Sequence, residues 1–368
     1  MKIAIVHDYL NQYGGAERVV EAMHEIWPQA PIYTSIYLKD NMPDSFKSMD
    51  IKTTFMQKFP FLKNSFKKYL IFYPKAIESI NVKNFDLILS SSSAFAKGVI
   101  PGPKSCHICY CYAPMRFVWD YERYVEKETF NKLILKSLPL ILKSQKKWDI
   151  DTLDRVDYFI AISENIKSKI KDIYNRESEV IYPPVNTEKF KINKTNDGYF
   201  LIVSRLNPYK NIDTAIKAFN KLKFKLKIVG IGPFRNTLKG LAETENIEFL
   251  GRVDDKELMD IYSKSRAFIF TGDEDFGISP LEAQASGIPV IALAKGGALE
   301  TIIDGVSGIL YKENNEKSLV EAINSFIAYE DKFNKSYIRN NALRFDKEVF
   351  KQKLKDFVQN KFESYKNK

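Results

Sequence analysis

At 368 residues, with 45% hydrophobic and 28% charged side chains, the chain has an ordinary globular composition and is too long for one typical core, so two domains are expected. No apolar run approaches the ~20 residues of a membrane-spanning helix, and the opening MKIAIVHDYL reads as a strand and not a signal peptide, because Asp8 interrupts it. The formal net charge of +10 points toward nucleic acids or anionic membranes as partners.

Lys2–His7 is an apolar strand running through Gly14-Gly15 into the helical pattern RVVEAMHEIW. Strand, glycine turn and helix open a nucleotide-binding α/β unit, but the G-x-G-x-x-G spacing is missing, which argues against a dinucleotide oxidoreductase. Taken alone, Gly14 and Gly15 fit a plain turn as well as a close backbone approach to a ligand. Ile32–Ile36 and Ile51–Thr54 read as further strands.

The stretch Phe55–Lys75 carries Lys58, Lys63, Lys67, Lys68 and Lys75, seven aromatic residues and no acid. It fits an interfacial helix on an anionic leaflet, or an ordinary helix with aromatics inward and lysines outward. A single-strand nucleic-acid platform is disfavoured, because no nucleic-acid motif accompanies it.

Phe85–Ser93 is a buried strand ending in serines. With no G-x-S-x-G, a serine nucleophile does not arise. Cys106, Cys109 and Cys111 have the spacing of half a metal site but lack a second pair, so packed thiols in a reducing cytoplasm are expected. Residues 130–150 read as a basic amphipathic helix. Val156–Ile162 is a strand, and Ser163 caps the next helix. The double proline in Val180–Thr187 marks a boundary, and Lys191–Gly198 reads as linker.

The second half restarts with a buried strand from Tyr199 that delivers Arg205 and Lys210 to the start of the helix TAIKAFNKL. Two cations at a helix N-terminus oppose its dipole unless an anion joins them, which suggests a phosphate site. Strands Phe224–Val229 and Ile247–Leu250 follow, the latter leading into Gly251-Arg252-Val253 and a helix over Asp255–Ser263.

Ala267–Phe270 is a strand end, and the loop Asp273–Ile278 feeds a helix expected to be capped by Ser279, with Pro280 first. Gly287 and Pro289 stop it before the strand Val290–Leu293. Backbone N–H groups gathered at such a strand-to-helix junction favour anionic or hydroxyl-rich ligands. Glu282 is either functional or the reciprocal partner of a capping box. Asp273-Glu274-Asp275 fits an acidic surface turn, and two carboxylates alone do not make a divalent site. Asp304–Tyr311 is a turn and final strand, and 316–330 and 347–363 are amphipathic helices.

The run from Glu274 to Glu282, followed by AQASGIPVI, resembles the E-x7-E signature of retaining GT-B glycosyltransferases of family 4, and is especially similar to bacterial O-antigen and capsule mannosyltransferases. SRL..YKN.D (204–213), CYC..PMR..WD (109–120) and YPPV (182–185) are similar to further elements of that family. The resemblance implies an α/β GT-B fold of two doubly wound Rossmann-like domains facing across a cleft. Residues 1–190, with a returning helix 347–368, would form the acceptor side, and 191–346 the nucleotide-sugar domain.

The same resemblance places Glu274 and Phe276, Gly277 and Ile278 on the donor sugar and diphosphate, and Glu282 on the ribose. Arg205 and Lys210 would neutralise the diphosphate, Gly14 and Gly15 would lie near the donor phosphates, and Arg252 and Val253 beside the base. Tyr112, Arg116 and Asp120 fall on the acceptor side, although a structural ion pair explains Arg116 and Asp120 equally well. Tyr112 stands where the family commonly has a histidine, which puts a general-base histidine in doubt. The implied donor is GDP-mannose, with GDP-rhamnose or a UDP-sugar as alternatives, and the implied acceptor is a lipid-linked glycan. No metal, cofactor or nucleic acid is expected. The expected location is cytoplasmic, peripheral at the inner face of the cell membrane through 55–75. A nucleotide-sugar-binding protein without catalysis is the reading from a different class.

Overall fold

The computed structural model describes residues 1–120 and 132–367, apart from the side chains at positions 64 and 132–137. The chain divides into two compact units, Met1–Pro184 with Phe350–Lys368, and Val185–Val349. Among the described residues no helix is long and apolar enough to cross a membrane.

The first unit is built on an all-parallel sheet: β1 (Ile3–His7), β2 (Ile32–Thr34), β3 (Ile51–Thr53), β4 (Leu87–Ser92), β5 (Cys106–Cys111), β6 (Tyr158–Ala161) and β7 (Ser178–Val180). Their spatial order is β3-β2-β1-β4-β5-β6-β7. Ile5 lies opposite Leu89 on one side and Ile32 on the other. Strands β1, β4 and β5 are buried throughout, as expected of central parallel strands covered on both faces. The three cysteines are buried free thiols of β5, one more part of its packing. Helix Gly15–Ile26 follows β1, and helix Glu164–Tyr174 is capped by Ser163, which accepts from Ile166 N–H. The C-terminal helix Lys347–Lys366 reaches this sheet through Phe350, whose ring meets Tyr110 edge-on at 5.8 Å.

Two buried carboxylates organise the loops of this unit. Asp8, at the end of β1, accepts from the backbone N–H groups of Ser93, Ala94, Phe95 and Ala96 and from Ser93 Oγ, at 2.6–3.0 Å. Asp149, fully buried, lies 3.0 Å from Lys97 Nζ and accepts from Trp119 Nε1 at 2.7 Å and Tyr174 O–H at 2.9 Å. A buried pair of this kind holds its neighbours in place only because its remaining polar atoms are also bonded.

The stretch Phe55–Lys75 is not one helix. It runs as a 3-10 turn (Phe55–Lys58), a four-residue helix (Leu62–Ser65), a second 3-10 turn (Phe66–Phe72) and the start of helix Tyr73–Glu78. Pro60 cannot donate a backbone hydrogen bond, and Phe61 after it sits at φ +54°, so no continuous amphipathic face forms. Met56, Leu62 and Tyr73 enter the core, while Phe61, Ile71 and Phe72 stay exposed.

The second unit has a six-stranded parallel sheet: β8 (Phe200–Val203), β9 (Leu226–Val229), β10 (Ile247–Gly251), β11 (Ala267–Phe270), β12 (Val290–Leu293) and β13 (Gly308–Tyr311). The order is β10-β9-β8-β11-β12-β13. Helices Ile212–Leu222 and Glu316–Ala328 pack Ile216, Phe219, Ile323 and Phe326 on one face. Tyr262, Ala283 and Ala342 cover the other. The polar segment 191–198 belongs to this unit, where Lys335 Nζ bonds the carbonyls of Asn193 and Lys194. Both sheets reverse strand order once, between β1 and β4 and between β8 and β11. The carboxyl ends of such neighbouring strands are where doubly wound folds bind ligands.

His107, buried in β5, bonds the Arg155 carbonyl through Nδ1 at 2.7 Å and Ser90 Oγ through Nε2 at 2.8 Å. Burial, aided by the charges of Lys97 and Arg155, lowers its pKa from 6.5 to about 4. The unfolded chain therefore takes up this proton first. The stability His107 contributes is complete above pH 6.5 and is lost as pH falls toward 4. We expect denaturant unfolding of the first unit to lose about 3 kcal/mol from this residue between about pH 7 and 4, and the His107→Gln variant to lack that component of the slope.

Candidate functional site

In the second unit the order reversal brings together two loops far apart in sequence. Arg205 lies just beyond β8 and is exposed, and Lys210 closes the 3-10 turn Pro208–Lys210 before helix Ile212–Leu222. Glu274 lies beyond β11, on the neighbouring loop. Lys210 Nζ and Glu274 Oε1 meet at 2.5 Å, with the two side chains 12% and 25% exposed. The lysine backbone is held as well, since its carbonyl accepts from Thr271 Oγ1 at 2.8 Å. The opposition between Lys210 and the helix dipole, from which a phosphate was inferred, is thus met within the chain by Glu274.

Glycine permits the loops to stack. Gly230 has φ +137°, and a Cβ there would lie 1.9 Å from the Ser204 carbonyl oxygen. The loop carrying Arg205 therefore rests directly on the loop after β9, where Leu206 N–H donates to the Ile231 carbonyl at 3.0 Å. Gly230 N–H in turn donates to the Gly251 carbonyl at 2.7 Å. Arg252 and Val253 follow the edge strand β10, two strands from β8, so the strand order does not bring them to the Lys210–Glu274 pair.

The loop 273–278 is pinned from below. Gly297 N–H donates to the Glu274 carbonyl at 2.7 Å, and a Cβ on Gly297 would lie 2.2 Å from the Phe276 carbonyl oxygen. Phe276 is itself buried, its ring 5.7 Å from Phe345. The next helix runs Ile278–Ala285 with Gly277 as its N-cap at φ +88°, so Ser279 is not the cap and Pro280 is not its first residue. Only glycine turns the chain comfortably into the helix at that φ, and this starts the helix earlier than the Ser-Pro pair suggests. With the cap moved, a capping box no longer explains Glu282, which is buried and accepts from Tyr262 O–H at 2.9 Å.

In the first unit, Gly14 caps helix Gly15–Ile26 and its N–H donates to Glu17 Oε2 at 2.8 Å. Tyr112 O–H reaches the Ala16 carbonyl at 3.1 Å and Ser91 Oγ at 2.8 Å. Ser91 Oγ lies 3.0 Å from His7 Nδ1, and His7 Nε2 lies 3.8 Å from Glu17 Oε1. This buried ring of polar groups underlies the glycine turn. Burial, first among its causes, pushes the Tyr112 hydroxyl well above the ordinary tyrosine range, so it remains protonated and holds the turn. His7, Glu17 and Ser91 were not singled out from sequence. Their one visible signal is polarity within or beside otherwise apolar strands. Arg116 and Asp120 flank the short helix Arg116–Trp119 and line a cavity of about 80 Å³ with Trp119 and Lys169. That helix is anchored through Trp119 to Asp149.

Two sequence families match the chain: "Glycosyltransferase Family 4" over residues 13–189 and "Glycosyl transferases group 1" over 185–344. The chain belongs to glycosyltransferase family 4. An O-antigen chain mannosyltransferase of Salmonella typhimurium is 31% identical over 220 residues, 56% of this chain and 61% of that protein. A GDP-mannose-dependent monoacylated alpha-(1-6)-phosphatidylinositol monomannoside mannosyltransferase of Corynebacterium glutamicum is 33% identical over 135 residues, 33% of this chain and 35% of that protein. The chain spans about half to three fifths of the length of the first curated relatives it matches. The Anabaena HepE crystal structure with UDP and glucose superimposes with a TM-score of 0.72 at 18% identity, covering 98% of this chain and 99% of that one. At that identity the likeness shows the GT-B fold alone.

The contact between Gly297 and the Phe276 backbone can be tested directly. Gly297→Ala places a methyl group against main-chain atoms that cannot swing away. We expect it to cost about 1–3 kcal/mol in denaturant unfolding of the second unit, more than Gly240→Ala, whose added Cβ would meet nothing within 4 Å.

Proposed function

We propose that this family-4 chain transfers a hexose, mannose from GDP-mannose, with retention of anomeric configuration, to a hydroxyl of a lipid-linked glycan in surface-polysaccharide assembly. The observation that carries the reading is the Lys210–Glu274 pair at the order reversal of the second sheet, with Arg205 on the adjoining loop. A diphosphate entering at this reversal offers Lys210 a stronger partner than Glu274, and Arg205 joins from the β8 loop. Glu274, released, accepts hydrogen bonds from the hexose hydroxyls. Glu282, already oriented by Tyr262, takes the ribose hydroxyls.

In the reaction the bond from the anomeric carbon to the diphosphate oxygen breaks, and one to the acceptor oxygen forms on the same face. The acceptor proton passes to a diphosphate oxygen. Charge on the leaving group is met by Arg205, Lys210 and the amides at the start of helix Ile278–Ala285, so the scheme uses neither an enzyme nucleophile nor a divalent ion. Arg116 and Asp120 are assigned to the acceptor.

The names of the Corynebacterium and Salmonella relatives support GDP-mannose and mannosyl transfer. The UDP in the Anabaena complex favours a UDP-sugar as the second reading. GDP-rhamnose falls under the same guanine-nucleotide outcome. The phosphatidylinositol monomannoside in the Corynebacterium relative's name supports a lipid-linked acceptor; such an acceptor would be met at the anionic inner face of the cell membrane.

Lys210→Ala and Glu274→Ala are each expected to lower turnover by about 10²–10³, as for loss of a preorganised transition-state contact. A chelator is expected to leave the wild-type rate unchanged. If both variants turn over donor at near wild-type rates, the site is wrongly assigned. Thermal shifts with GDP, UDP and NAD separate the donors: protection by GDP alone supports the first reading, and by UDP alone the second.

A further inference from the structure

We infer that the broken turns 55–72 of the first unit form a bilayer-docking surface that inserts Phe61 into an anionic leaflet. This deepens the reading of a membrane-borne acceptor by naming the contact.

Rigidity is the first observation. The Phe59 ring packs against Phe55 at 5.8 Å, Tyr69 at 4.9 Å and Phe72 at 5.3 Å, and Tyr69 O–H donates to the Pro60 carbonyl at 2.8 Å. The turn before Phe61 is thereby fastened to the turn after it, while Met56, Leu62 and Tyr73 root both in the core. What faces solvent is fixed in place.

The outward residues come second. Phe61 is 82% exposed and Ile71 54%, with Phe72 and Phe55 at 39% and 38%. Phe61 also adopts φ +54°, the left-handed region that a bulky residue occupies only at a cost in strain. An aromatic side chain held in water on a strained backbone gains nothing from the fold around it. Glycine or asparagine would satisfy the same turn more cheaply. A bilayer supplies the missing compensation, because the ring leaves water when it enters the leaflet.

Charge is the third. Lys58, Lys63, Lys67, Lys68 and Lys75 are all exposed, and no acid interrupts the stretch 55–75. A row of cations beside exposed rings fits an anionic leaflet, where each lysine near the surface contributes about a fivefold gain in binding. The same charges oppose self-association through this surface.

Co-sedimentation with phosphatidylglycerol-containing and pure phosphatidylcholine vesicles, without donor or acceptor, tests the surface independently of catalysis. Wild type is expected to bind the anionic vesicles and to bind phosphatidylcholine far more weakly. Phe61→Gly is expected to weaken binding to anionic vesicles at least about tenfold, the loss of one inserted aromatic side chain. Its thermal midpoint should not fall, since glycine relieves the strain and little packing is lost. The Lys63→Glu/Lys67→Glu/Lys68→Glu variant should lose binding more steeply than Phe61→Gly, and added salt should weaken wild type but leave the Phe61→Gly ratio in place. The inference is overturned if wild type fails to bind anionic vesicles or if Phe61→Gly binds like wild type. A dimer in solution that Phe61→Gly converts to monomer, with no vesicle binding, assigns the surface to a second copy and overturns it equally. None of these outcomes bears on the rates of Lys210→Ala and Glu274→Ala, so the docking surface and the transfer reaction stand or fall separately.

Discussion

The loops of the second unit are tied together by one lysine held in place by an acid from a neighbouring strand. Lys210 comes from the loop after β8 and Glu274 from the loop after β11, and these strands are neighbours only because the sheet changes direction between them. An unpaired cation at the start of helix Ile212–Leu222 would work against the helix dipole. The carboxylate removes that conflict and fixes the amine at the order reversal. Its degree of burial matters. A fully buried pair costs about 3–5 kcal/mol to break by removing one partner, whereas an exposed pair contributes ~1 kcal/mol or less. With the two side chains 12% and 25% exposed, the pair lies between these limits, sheltered but still reached by solvent.

The first unit meets the same topological situation differently. Between β1 and β4 the space at the order reversal is closed from within by Asp8. This carboxylate accepts from four consecutive backbone N–H groups and a serine hydroxyl of the loop after β4. Amides arranged in that way would otherwise bind a phosphate. Here the anion is covalently part of the chain and 1% exposed, so these amides are already occupied. The nearby glycine turn at Gly14 and Gly15 is braced in a similar way by Glu17, His7, Ser91 and Tyr112. Two sheets of the same winding thus each place an acid at the order reversal, Asp8 after the first strand bonded to amides and Glu274 after the fourth paired with a lysine.

Much of this was legible in the sequence because parallel strands buried on both faces are short apolar runs between turn residues. Ala267–Phe270 and Val290–Leu293 could be bounded to the residue for that reason. The failures share a cause as well. The cap of helix Ile278–Ala285 depends on φ at Gly277, which residue preferences do not express when Ser-Pro follows with a good capping pattern. The aromatic-basic stretch reads as helical by its spacing, and Pro60 was the sign that it is not. Site pairings were invisible for a simpler reason. His7 and Ser91 are 84 residues apart and Ser91 and Tyr112 21 apart, so no local period links them. That Lys210 and Glu274 neutralise each other likewise follows only from the strand order.

Close backbone approach completes the argument. Gly230 lets the Arg205 loop lie on the β9 loop, and Gly297 lets the Glu274 loop lie on the turn after β12. Each loop that bears a site residue therefore rests on main chain from the next strand outward, and not on a side chain that could change rotamer. Main-chain support has few ways to move, so Arg205, Lys210 and Glu274 inherit their positions from the sheet. What this support leaves to rotamer choice is the side-chain ends of Arg205, Lys210 and Glu274, the last two joined in an ion pair. Glycines beneath the loops and the Lys210–Glu274 pair above them thus fix the geometry at the order reversal.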